Sequence, residues 1–203
     1  PEPPVEVFSL LVHTDHRDVG ALLRYHRKVG AHDLLAGLNF GDGRVEGGNY
    51  RNDGGRRNGL TERVVNQADS LEAYLVDRWR FAPDWTLVYG GQLVDAGRDV
   101  RTTDVATGSV RNPKDDYSSF NPRVGLIYAL SGRSEAFGSV SRLYEPPTAF
   151  EMENDVRGNN ATLDAMHGTV YELGVRSSPV EVDEIGWRWD ISAYYAEVRE
   201  EIL

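Results

Sequence analysis

Stretches in which apolar residues recur at every second position are joined by connections that run short, long, short and long in turn, and this double rhythm narrows the fold most. Period two puts alternate side chains on opposite faces of an extended strand, whereas a helix repeats its apolar positions about every 3.6 residues. In "FNPRVGLIYAL", Phe120, Val124, Leu126, Tyr128 and Leu130 share one face; Asn121, Arg123 and Gly125 share the other, where Ile127 and Ala129 break the polarity. In "WRWDISAYYAEV", Trp187, Trp189, Ile191, Ala193 and Tyr195 alternate with Arg188, Asp190, Ser192 and Tyr194. Weaker alternations set Val19, Ala21, Leu23 and Tyr25 against Gly20, Arg24 and His26, and Leu34, Ala36, Leu38 and Phe40 against Asp33, Gly37 and Asn39. A further one sets Tyr171, Leu173 and Val175 against Glu172, Gly174 and Arg176.

The pattern predicts an all-β chain, an antiparallel up-and-down meander of about nine long strands, most of roughly 9 to 14 residues. Strands in globular proteins usually run about 5 to 6 residues, while about 9 to 11 tilted residues cross a bilayer core. The short connections are "KVGA" near Gly30, "APDW" near Pro83, "SGRS" near Gly132 and the segment around Pro179. The long ones run over 41–66, 97–119 and 143–168 and are rich in Gly, Asn, Asp and Arg. Loops beyond about 12 to 15 residues are uncommon in compact domains, but short turns alternating with long loops are the layout of outer-membrane barrels. Trp79, Phe81 and Trp85 bracket the turn at Pro83, which suits either an interfacial aromatic girdle or core aromatics at strand ends.

Composition closes off other classes. A formal net charge of -10 without a long basic stretch argues against a nucleic-acid partner. The absence of cysteine excludes disulfides, thiolate zinc sites and a cysteine nucleophile. No run of about eighteen apolar residues exists, which excludes a transmembrane helix and leaves a transmembrane β-barrel open despite a mean hydropathy of -0.48. The opening "PEPPVEVF" has neither the basic nor the apolar region of a signal peptide, so a signal has been removed or the chain is internal to a longer one. Nine strands alone in lipid would expose two unpaired edges, so further strands are expected from outside these residues, and "VREEIL" reads as a strand in progress.

The blocks "ADSLEAYLVDRWRFAPDWTLVYGGQLVD", "FNPRVGLIYAL", "GSVSRLYEPPTAFEM", "TVYELGVRS" and "WDISAYYAEVREEIL", in this order, resemble the barrel domain of TonB-dependent outer-membrane receptors. The resemblance runs from about Asp18 to Leu203, is strongest from Phe120 onward, and is nearest to the iron-chelate (siderophore) receptors. It implies a bacterial outer-membrane location and an energy-coupled importer that binds an iron chelate or another scarce nutrient at its extracellular loops and at an internal plug. An inner-membrane TonB complex acts on that plug. It implies no cofactor and no covalent chemistry, and it makes outer-membrane lipid a further partner. The plug and the energy-coupling box are not recognisable here, and Leu203 stands where these barrels commonly close on an aromatic. Residues 1–203 are therefore expected to be a partial barrel domain.

Within the first long connection, Tyr50, Arg51, Arg56 and Arg57 are the candidate ligand contacts, because guanidinium forks suit carboxylates and other anionic groups on an iron chelate. The competing reading is a solvated loop, or one that touches lipopolysaccharide phosphates. In the second, Arg98, Arg101, Arg111 and Lys114 have Asp99, Asp104, Asp115 and Asp116 beside them, which favours a solvated loop. His13 and His16 in "HTDH" match no strong metal-ligand motif and read as a hairpin turn. Asn160-Ala-Thr162 forms a glycosylation sequon that carries no weight in an outer-membrane protein. Hydrolase and phosphate-loop motifs are absent, and Glu151 and Glu153 are too ordinary in an acidic chain to name a glycosidase. Pro146 and Pro147 cannot donate to a ladder, so they end the strand that starts near Glu135, leaving Arg142 and Glu145 as a charge pair at its end or as lumen-facing contacts to the plug. The alternative architecture is a soluble extracellular β-sandwich that binds carbohydrate through Trp187 or Trp189.

Overall fold

The computed structural model describes residues 10–131, 134–155, 157, 160–177 and 188–200. Its strands are β1 (Leu10–Val29), β2 (His32–Asp53), β3 (Arg56–Ala82), β4 (Trp85–Asp104), β5 (Val110–Arg111), β6 (Lys114–Ser131), β7 (Ser134–Glu145), β8 (Met166–Ser177) and β9 (Asp190–Arg199). All pair antiparallel in one sheet of order β1-β2-β3-β4-β6-β7-β8-β9, with the two-residue β5 paired to β4. The expected nine-stranded meander is thus present, with one addition, the short helix α1 (Ala149–Asn154).

The register confirms the predicted faces. Leu23 pairs with Leu38, Leu38 with Ala73, Ala73 with Leu93 and Leu93 with Phe120, so one continuous apolar face crosses β1 to β6. Beyond it Val140 pairs with Tyr171 and Tyr171 with Tyr195. Apart from the half-buried Ala73 these side chains are exposed, as are their neighbours Leu173 at 71% and Ile191 at 67%. No second sheet covers them among the described residues, which overturns the sandwich alternative, since its apolar faces would have to meet. Trp189 lies just before β9, and Trp187, Gly132 and Arg133 of "SGRS", the segment around Pro179 and Leu203 fall outside the described residues.

The tight turns lie at one end. Gly30 supplies the left-handed φ of 58° between β1 and β2, and Ala82 pairs with Trp85 around Pro83. Here Trp79, Phe81 and Trp85 gather on the outer, apolar face as the girdle reading anticipates, with Trp85 against Tyr128 at 4.5 Å. His32 stacks on Trp79 and meets Asp77, which also accepts a hydrogen bond from the Tyr89 hydroxyl at 2.8 Å. A carboxylate on an otherwise apolar face is thereby partnered rather than bare.

At the other end the structure corrects three expectations. Segments 41–66 and 97–119 are not long loops: β2 and β3 run on to a two-glycine turn, and β4 continues to Asp104. Each polar, Gly-rich half of the hairpin finds its hydrogen bonds in the other half, so no apolar alternation is needed to keep it extended. "HTDH" is not a turn but part of β1 near its start, His13 pairing with Gly48 and His16 with Val45. Arg142 and Glu145 are three residues apart in β7 and so project to opposite faces, which rules out a simple charge pair. Pro146 and Pro147 do end β7 as anticipated, but the chain beyond them is not only loop, since it forms α1.

Candidate functional site

Past the two prolines the chain turns onto the inner face of the sheet, the one opposite the apolar face. Thr148 caps α1: its hydroxyl accepts from the Glu151 amide while Glu151 reaches back to the Thr148 amide at 2.6 Å, a reciprocal capping box. Met152 then inserts with 0% exposure among inner-face residues Val64, Ala96, Val100 and Tyr117, all themselves buried. This small apolar cluster is the protein's nearest approach to a core.

Polar side chains pin the same segment. Arg98 donates to the Pro147 carbonyl at 2.8 Å and to the Asp69 carbonyl at 2.9 Å. Arg111 donates to the Met152 carbonyl, and the Tyr117 hydroxyl to the Leu163 carbonyl at 2.8 Å. The Asn66 amide donates to Glu153 at 2.6 Å, and Asn160, the residue of the sequon, accepts from the Asn112 amide at 2.6 Å. Asp155 ends α1, and the Arg157 amide and guanidinium hold its carboxyl below the usual range. The solvated-loop reading of Arg98 and Arg111 is therefore replaced: both are inward anchors.

Beside α1 the inner face forms a polar cavity of about 290 Å³ lined by Asn49, Glu62, Thr102, Asp104, Arg111 and Glu153. Asn49 donates to Glu62 at 2.7 Å, and the Thr107 hydroxyl donates to Asp104 at 2.7 Å, lowering its pKa. The Asn66 side-chain oxygen is buried without a partner at its edge. Three carboxylates, amides and one guanidinium suit a ligand with several hydroxyl, amide or ammonium donors.

The four residues singled out from sequence lie elsewhere, at the tip of the β2–β3 hairpin. The structure brings two of them together, the Arg57 guanidinium lying 5.4 Å from the Tyr50 ring centre. Arg51 and Arg56 are exposed and make no side-chain ion pair among the described residues. Sequence reasoning missed Asn66, and it set aside Arg98 and Arg111 as solvated and Glu153 as an ordinary acidic residue. The Thr148-Ala-Phe-Glu151 spacing was the available signal that a helix begins there.

Residues 8–203 match the model of the TonB dependent receptor-like, beta-barrel family. A ferric-pyoverdine BN7/BN8 receptor of Pseudomonas putida is 26% identical over 110 residues, which is 54% of this chain and 13% of that receptor. The ferric yersiniabactin uptake receptor FyuA of Yersinia pestis superposes with a TM-score of 0.69 at 17% identity, over 95% of this chain and 30% of its own. The pyoverdine receptor FpvA of Pseudomonas aeruginosa PAO1 gives 0.64 at 19%, over 93% and 28%. The chain thus spans under a third of the length of these solved receptors.

Proposed function

We propose that this chain, which belongs to the TonB-dependent receptor β-barrel family of the bacterial outer membrane, is a section of barrel wall in an energy-coupled receptor for a ferric siderophore. Residues 1–203 are one piece of that wall, and the plug on which the TonB complex acts comes from elsewhere in the protein. The observation that carries the reading is the polar inner-face cavity beside α1, placed at the end away from the tight turns, where family barrels face the medium. A wall that only enclosed a channel has no need to fold a capped helix inward and ring it with carboxylates and amides.

The sequence relationship to a ferric-pyoverdine receptor supports an iron chelate as cargo. Likeness of fold does not choose it, because a copper transporter superposes equally well, with a TM-score of 0.70 at 13% identity. The chain's part is binding and gating without covalent chemistry. Tyr50, Arg51, Arg56 and Arg57 make first contact at the hairpin tip, and the cavity receives the chelate after them.

The test is uptake of radiolabelled ferric siderophores by cells whose only such receptor is the full-length protein. Substituting Glu62 and Glu153 by Gln is expected to weaken binding of the transported chelate about tenfold or more, and changing Arg51, Arg56 and Arg57 together to Ala to slow capture. Failure to transport any iron chelate, with copper or another nutrient taken up instead, overturns the cargo.

A further inference from the structure

β7 pairs with β6 only from Ser141 down to Ser134; above that point β6 stays with β4 and β7 with β8, so the wall forks. Pro122, which lacks an N–H, stands at the parting and leaves no donor unpaired there. The fork opens a cleft of about 520 Å³ whose lining includes Val124, Val140, Arg142, His167 and Arg199, all with outer-face parity, and Arg123.

Register sorts the outer face here into rows. Val124, Val140, Tyr171 and Tyr195 make an apolar, aromatic row, with the two tyrosine rings 6.3 Å apart. Next come Arg142, Thr169 and Glu197, and then Tyr144, His167 and Arg199. On this face two guanidinium groups, those of Arg142 and Arg199, stand against the one carboxylate of Glu197, and neither arginine has an ion-pair partner among the described residues.

Height relative to the membrane matters as much as charge. About ten tilted residues cross the apolar core. Roughly that far from the tight-turn end, on the same outer face, β2, β3 and β4 carry Asp42, Asp69 and Asp95, whereas β7, β8 and β9 carry Arg142, His167 and Arg199. The cationic sector coincides with the cleft, and apolar side chains lie directly beneath it.

We propose that this cleft binds a phosphate group of an outer-leaflet glycolipid, its acyl chains running down over Val124, Val140 and the tyrosine pair. Arginine forks match phosphate oxygens, and an apolar floor below a cationic rim matches an amphiphile rather than a free anion. Retention is by direct charge pairing here, while over Asp42, Asp69 and Asp95 the same phosphates are repelled unless a divalent cation bridges them.

Full-length receptor, stripped of lipid in detergent, is titrated with bisphosphorylated lipid A and bound lipid is counted by native mass spectrometry. Arg142→Gln with Arg199→Gln is expected to weaken binding at least tenfold, and a dephosphorylated lipid A to bind the native protein as weakly as the variant. A control with Asp42→Asn and Asp69→Asn is expected to keep native affinity in the presence of EDTA. Equal binding by the Arg variant, equal binding of the dephosphorylated lipid, or inorganic phosphate alone binding as tightly as lipid A each overturns the proposal. Iron-chelate uptake is expected to be unchanged in the Arg variant, which verifies that it folds and separates this test from that of the cargo.

Discussion

The β2–β3 hairpin and the 146–165 connection both rise from the same end of the sheet, and the chain treats them in opposite ways. The hairpin keeps its polar residues paired almost to its tip, with register shifts only on either side of Tyr50, so most pairs along it add to a ladder. The connection leaves the sheet at Pro146 and Pro147 and is held by a few side chains instead: Met152, Arg98, Arg111, Asn66 and Thr148. Extended backbone spreads its stability over many weak pairs, while the helix concentrates it in single residues that mutation can remove.

That contrast is most sharply broken at Met152. Met152→Ala removes the fully buried side chain and is expected to destabilise docking of α1 by about 2–5 kcal/mol, read as faster trypsin cleavage after Arg157 in the full-length receptor. Arg98→Ala leaves the Pro147 carbonyl without its donor and is expected to cost about 1–3 kcal/mol in the same assay. The hairpin is most sensitive at its turn, where Gly54 and Gly55 have φ of 57° and 84°; Gly55→Ala is expected to cost roughly 1–2 kcal/mol, seen as faster amide exchange near Asn52 and Asn58. Thr148→Ala undoes the capping box for about 1 kcal/mol, again by proteolysis.

The smallest effect is one of pH. Asp155 has a carboxyl pKa depressed below its ordinary 3.8 by the Arg157 amide and guanidinium, so its contribution is complete above that value and disappears as the pH falls through the lower, folded one. Cleavage after Arg157 by an acid-active protease is expected to be flat from neutral pH to about 4 and to rise only below it; a rise beginning near pH 6 would point to a different group.

The faces of the strands were legible in the sequence because lipid-facing residues such as Leu34, Leu38, Leu126 and Tyr171 must alternate with polar ones, and period two survives without knowledge of partners. The length of β2, β3 and β4 was not, because above the apolar band both faces are polar and the pattern vanishes while the ladder goes on. The site suffered from the same blind spot. Arg98 looked neutralised by Asp99, but in a strand the two point to opposite faces, so Arg98 turns inward to the Pro147 carbonyl while Asp99 meets Lys114 at 3.4 Å. Neighbours in sequence offset each other's charge in a loop and are separated by the sheet in a strand. Tyr50, Arg51, Arg56 and Arg57 stood out in the sequence because their segment is rich in arginine, but nothing in its composition reveals that the inner cavity is lined by other residues.

The parting of β6 from β7 also has a mechanical meaning. A closed rim behaves as a hoop, in which a displacement at one point is shared by every strand through continuous hydrogen bonds. A slit cuts that hoop above Ser141, so the collar formed by β2, β3, β4 and β6 can lean without dragging β7, β8 and β9 along with it. Because α1 springs from β7 and rests on β3 and β4, it straddles the slit as a clasp between the two lips, closed by Met152 together with Arg98, Arg111 and Asn66.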